Sequence, residues 1–165
     1  LERRRGSSLN NLDDYANLAR VMLDLGHTEG AKRITDELRR DWRGSKQGEL
    51  AALVMEGLCA DKEGDPTRAR LAVERALILH DSLNEEGKGA LVSSKLALDL
   101  AHACLATGDE ASAQEVVRKV AAENHEDRAM IARIQGIYAK TGLLSLGSGA
   151  DMLRLDGGRK DGKGG

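Results

Sequence analysis

Phenylalanine is missing from this chain, and Tyr15, Tyr138 and Trp42 are its whole aromatic content. Sandwiches and barrels draw on alternating β-branched and aromatic runs, and without such runs an all-β fold is excluded. Proline is almost missing as well: Pro66 alone interrupts the chain, so helices can run nearly throughout. Two cysteines, Cys59 and Cys104, are too few for a disulfide framework. Both fall inside apolar helical patterns, where a free thiol packs as a small hydrophobe, and a reducing compartment, the cytoplasm, is the expected setting. No stretch approaches the roughly 20 apolar residues that span a bilayer, so membrane insertion is not expected. Net charge is small too, with 25 Lys+Arg against 27 Asp+Glu. A nucleic-acid module carries a basic stripe or stacking aromatics. Here Arg3-Arg4-Arg5 and Arg39-Arg40 are short clusters that read as solvated ends, and no nucleic-acid partner is expected.

What is present is alanine, leucine and a spacing. Gly26, Gly64, Gly108 and Gly142 each close an apolar helical stretch, and the last two lie 34 residues apart, the period of a helix–turn–helix repeat. Five residues after the first three glycines stands an alanine (Ala31, Ala69, Ala113). Seven residues before them stands another small residue (Ala19, Gly57, Ala101). Two helices joined by a tight turn approach closely only where their facing positions lack bulk. The pattern predicts helix pairs over Leu12–Leu25 and Glu29–Arg40, Gly48–Glu63 and Pro66–His80, and Ala90–Thr107 and Glu110–Glu123. A seventh helix follows over Asp127–Thr141. Asp65 and Asp109 are the expected N-caps, with Pro66 at the first helical position.

These residues resemble the tetratricopeptide repeat (TPR) family. Its small eighth and twentieth positions are met by Ala19/Ala31, Gly57/Ala69 and Ala101/Ala113, and its turn by Gly26-His27, Gly64-Asp65 and Gly108-Asp109. The resemblance covers residues 12–142 and implies an all-α fold, an α-solenoid of antiparallel helix pairs wound as a right-handed superhelix. Glycine spacings of 38 and 44 residues in the first two intervals depart from the standard repeat. The family's proline after the second helix is replaced by Asp41-Trp42-Arg43-Gly44 and Asp81-Ser82-Leu83-Asn84, read as longer loops. Residues 1–11, with Gly6-Ser7-Ser8, read as a linker or the end of a preceding region. Residues 143–165, rich in glycine, read as a tail, either flexible or holding a short helix over Leu143–Leu155.

No catalytic constellation is evident. Gly157 to Gly164 fits G-x-x-x-x-G-K, but Gly164 stands where a phosphate loop places Ser or Thr, and no strand precedes it. His27, His80, His102 and His125 lack metal-ligand spacing, so neither metal nor cofactor is expected. Asp13-Asp14 sits where it complements a helix dipole, and Glu85-Glu86 reads as loop. The chain is not read as an enzyme.

In the tetratricopeptide fold the first helix of each pair lines a concave groove. Carried over by register, the groove would hold Asn17, Arg20 and Leu23, then Val54, Met55 and Leu58, then Lys95, Leu98, Asp99 and His102, and finally Arg133. The expected surface is an apolar floor of Val54, Met55 and Leu58, rimmed by Arg20, Lys95, Asp99, His102 and Arg133. Such a floor suits an amphipathic helix or apolar peptide of a partner protein. The expected function is a protein–protein interaction scaffold. Self-association as a homodimer, cover by the chain's own segments, and a regulatory or output arm of a larger bacterial protein, such as one with a receiver domain, are the alternatives.

Overall fold

The structure, a computed structural model, describes residues 12–88 and 92–141. Among them are seven α-helices and no strand: α1 (Leu12–Asp24), α2 (Thr28–Asp41), α3 (Lys46–Lys62), α4 (Pro66–Glu85), α5 (Ser94–Ala106), α6 (Glu110–Glu123) and α7 (Arg128–Thr141). The all-α expectation holds for these residues. The linker expected over 1–11, the turn glycine Gly142 and the tail over 143–165 lie outside them.

Local chemistry sets the boundaries. Ser45, Asp65, Ser93 and Asp109 each precede a helix, and their side chains accept the N–H three residues on: Gly48 (3.0 Å), Arg68 (3.2 Å), Leu96 (3.0 Å) and Ser112 (3.1 Å). Each such cap satisfies a backbone donor that the helix cannot, and contributes about 1 kcal/mol. At the other end, Gly64 (φ 76°) and Gly108 (φ 86°) take the left-handed conformation. The following Asp65 and Asp109 N–H groups then reach back to the Ala60 and Cys104 carbonyls, both at 2.9 Å.

Two boundaries differ from expectation. Asp81–Asn84 is not a loop: α4 continues through Glu85, and Gly87 just beyond it makes the same turn with its positive φ. Leu83 explains the extension, because it continues the buried row Val73, Ala76, His80 at helical spacing. Helix α5 starts at Ser94, with Ser93 as its cap; Ala90, its expected start, lies outside the described residues.

The helices pair as α1 with α2, α3 with α4 and α5 with α6. One polar clasp joins the start of the first helix to the end of the second in each pair. Tyr15 Oη donates to Asp41, Lys46 Nζ to Glu86, and Asn124 Nδ2 to Ser94 Oγ (2.8 Å). With a glycine turn at the opposite end, these clasps make the pairs antiparallel. Small residues permit the close approach. Ala19, Ala31, Ala101 and Ala113 are fully buried, and a Cβ on Gly57 would stand 3.0 Å from Val73 Cγ2. Helix α3 sits at the centre, packed against α1, α2, α4 and α5, while α1 and α5 also touch each other.

Candidate functional site

The odd-numbered helices bring their side chains together in one cleft of about 420 Å³. Helix α1 contributes Arg20 and Leu23, α3 Leu58, α5 Asp99 and His102, and α7 Arg133. All six were projected onto a shared surface, and the structure unites them. Asn17 stands beside the cleft, where its Oδ1 accepts from Arg20 Nη2 at 2.6 Å. Lys95 takes part only through its backbone, its carbonyl accepting from Arg133 Nη1 at 3.3 Å, while its side chain points to solvent.

The character of the surface is the reverse of the one expected. Val54, Met55 and Leu98 are 0% exposed; they are core, not groove. The run Leu50-Ala51-Ala52-Leu53-Val54-Met55 gives α3 no polar face over six residues, and a helix apolar all round is enclosed on all sides. Contact between α1 and α5 completes that enclosure. It is made by Ser93 Oγ, which donates to Asp13 Oδ1 at 2.6 Å, and by Arg20 Nε, 3.3 Å from Asp99 Oδ1. The apolar floor expected from Val54, Met55 and Leu58 is therefore absent, and only Leu58 reaches the cleft.

In its place lies a carboxylate. Asp99, expected on the rim, is 2% exposed. Arg133 Nη2 donates to its Oδ1, and Arg20 Nε faces the same oxygen as an ion pair without a hydrogen bond. Burial raises the Asp99 carboxyl above its ordinary range, opposed first by Arg133 and then by Arg20. A carboxylate at this depth is held only because two guanidiniums replace its water. The triad joins α1, α5 and α7, and it leaves one positive charge in excess at the base of the cleft. Toward the other end stand Asp24, Asp61 and Lys62, so the two ends differ in sign. Asp24 and Lys62 were not among the projected residues, although each lies one helical turn beyond one of them (Arg20, Leu58).

Both cysteines are core. Burial pushes the Cys59 thiol up to about 11 and the Cys104 thiol up to about 12, so both stay protonated at neutral pH. Among the described residues no group of three or more His, Cys, Asp or Glu side chains is placed to hold a metal ion, and no helix is long and apolar enough to cross a membrane. No family model, curated protein or solved structure matches the chain.

Proposed function

We propose that the chain is a protein-interaction scaffold without catalytic activity. Its helix pairs stack as a TPR-like right-handed solenoid, and a short segment of a partner protein docks in the cleft between the odd-numbered helices. One observation carries this reading: Arg20, Leu58, His102 and Arg133 come from four different helices and meet in one cleft. A surface assembled from successive repeats, each giving one or two side chains, is how a helical solenoid makes a binding site. The segment it suits is polar and mixed in charge. An acidic side chain would face the excess charge of Arg20 and Arg133, and a basic one Asp24 and Asp61. Two protonated, buried thiols fit a cytoplasmic setting.

Photo-crosslinking tests this directly. A benzophenone amino acid at Leu105, on the cleft wall, should capture a discrete partner in cells, and Arg133→Glu should abolish the adduct. The same group at Ile78 of α4 should not capture that partner. Adducts from Ile78 with none from Leu105 would remove the cleft from consideration. A second reading, homodimerisation, is favoured by Leu71 and Ile78, seven residues apart on α4 and 50% and 70% exposed. It predicts a mass that doubles with concentration in light scattering and stays monomeric in Ile78→Glu.

A further inference from the structure

A second cavity, of about 410 Å³, lies between α4, α5 and α6 and shares no residue with the cleft. Its walls set aliphatic side chains, Val92, Ala97 from α5, and Val116 and Val120 from α6, beside the hydroxyl of Ser94. Two polar side chains of α4, His80 and Asn84, line it as well, and being four residues apart they project from the same helix face. Asn84 Nδ2 is fully buried without an acceptor. Folded proteins leave few polar groups in this condition, because each has given up water with no replacement. His80, one turn away and 8% exposed, opens into the same space.

Aliphatic walls with a few convergent polar groups are the make-up of a small-molecule site, and 410 Å³ lies toward the lower end of such volumes. Burial lowers the basicity of His80, with Asp81 opposing and Lys119 reinforcing. The neutral ring then offers one N–H donor and one acceptor nitrogen, and the Asn84 amide offers both as well. At the mouth, Lys119 and Glu123 stand four residues apart on α6 and cancel in charge. Nothing in the cavity selects an ion.

We propose that this cavity binds a small, uncharged, mostly apolar molecule that carries a hydrogen-bond donor and acceptor, held by His80 and Asn84. Benzamide is a probe with these properties; toluene has the ring without the amide, and benzoate has the ring with a charge. Titrated into the intact chain, benzamide should shift the NMR signals of the His80 ring and the Asn84 side-chain amide saturably. It should bind about tenfold more tightly than toluene or benzoate, the size expected for one or two buried hydrogen bonds. His80→Phe and Asn84→Leu should each bring benzamide close to the toluene value. Ala122→Phe, at an exposed residue on the cavity wall, should block all three probes with helicity unchanged, which keeps the test decisive if a core variant fails to fold. A benzamide titration without saturable shifts at His80 and Asn84 overturns the proposal, and is the result if a bridging water already serves both groups. So does tighter binding of benzoate, or benzamide affinity that Asn84→Leu, His80→Phe and Ala122→Phe all leave unchanged.

Discussion

Helix α1 buries Tyr15, Ala16, Ala19 and Leu23, one stripe of an amphipathic helix, and turns the rest toward solvent or the cleft. Helix α3 leads the next hairpin in the same way but buries ten of its 17 residues, Val54 and Met55 among them. The difference lies in neighbours more than in register. Among the described residues α3 packs against a hairpin on each side, and those two also meet each other, whereas α1 packs only against the elements that follow it. Equivalent positions in successive hairpins therefore differ in burial. The neighbours of a hairpin decide whether a residue lines the cleft or the core.

Substitution on the two faces of α3 tests that contrast most strongly. Met55→Glu places an unpaired carboxylate where no water reaches, and should cost more than about 4 kcal/mol, a large part of the stability of a typical domain. Leu58→Glu, three residues on but half-exposed beside Arg20 and Lys62, should cost only about 1 kcal/mol. Urea unfolding followed by circular dichroism measures both. Similar midpoints for the two variants would mean that Met55 is not enclosed.

Next in size is the triad through which α1, α5 and α7 meet. Asp99→Ala leaves Arg20 and Arg133 facing each other around an empty site, and should cost about 3 kcal/mol, the usual penalty for removing one member of a buried ion pair. Arg133→Ala leaves the Arg20–Asp99 pair in place and should cost less. Its clearer effect is on α7, whose amides should exchange faster with deuterium while those of α3 keep their protection. Equal acceleration in α3 and α7 would show that Arg133 does not act locally.

How much of this could be read from the residues follows the same division between local and distant. Caps, turn glycines and the small facing residues Ala19/Ala31 and Ala101/Ala113 act within one hairpin, so their chemistry is written into adjacent sequence. The polar run from Asp81 to Asn84 imitates a loop and hides Gly87 as the turn; Leu83, in phase with Ala76 and His80, is the signal for helix. The shared face of Arg20, Leu58, His102 and Arg133 was legible through register. Its depth was not, since the enclosure of Val54 and Met55 depends on α1 meeting α5, about eighty residues apart in the chain. The six-residue apolar run of α3 was the available warning.

Smaller effects separate two helical glycines. Gly57 of α3 has Val73 Cγ2 at 3.0 Å from its missing Cβ, whereas Gly136 of α7 has nothing within 4 Å. Gly57→Leu should destabilise by about 2 kcal/mol through overpacking. Gly136→Ala should stabilise by up to about 1 kcal/mol, because alanine removes the entropic cost of a helical glycine and meets no neighbour. Thermal unfolding of the pair gives opposite signs if α3 is held on all sides and α7 on one. A stabilising Gly57→Leu would refute the close α3–α4 crossing.

The smallest effect carries the contrast across to α4, the hairpin partner of α3. His80 is a titratable group enclosed on the side away from the cleft, and burial sets its folded pKa below the unfolded 6.5. Between those two values the unfolded chain binds more protons than the folded one, so stability must rise with pH there. The contribution is complete above 6.5 and is lost as pH falls from 6.5 through the folded value. Asp81 softens the loss by favouring the charged ring, and Lys119 deepens it. Urea midpoints for the wild type should therefore fall between pH 8 and pH 5 by more than those of His80→Gln, which has no proton to gain. Parallel pH profiles for the two proteins would mean that water reaches His80, and that enclosure in the central hairpin is confined to α3.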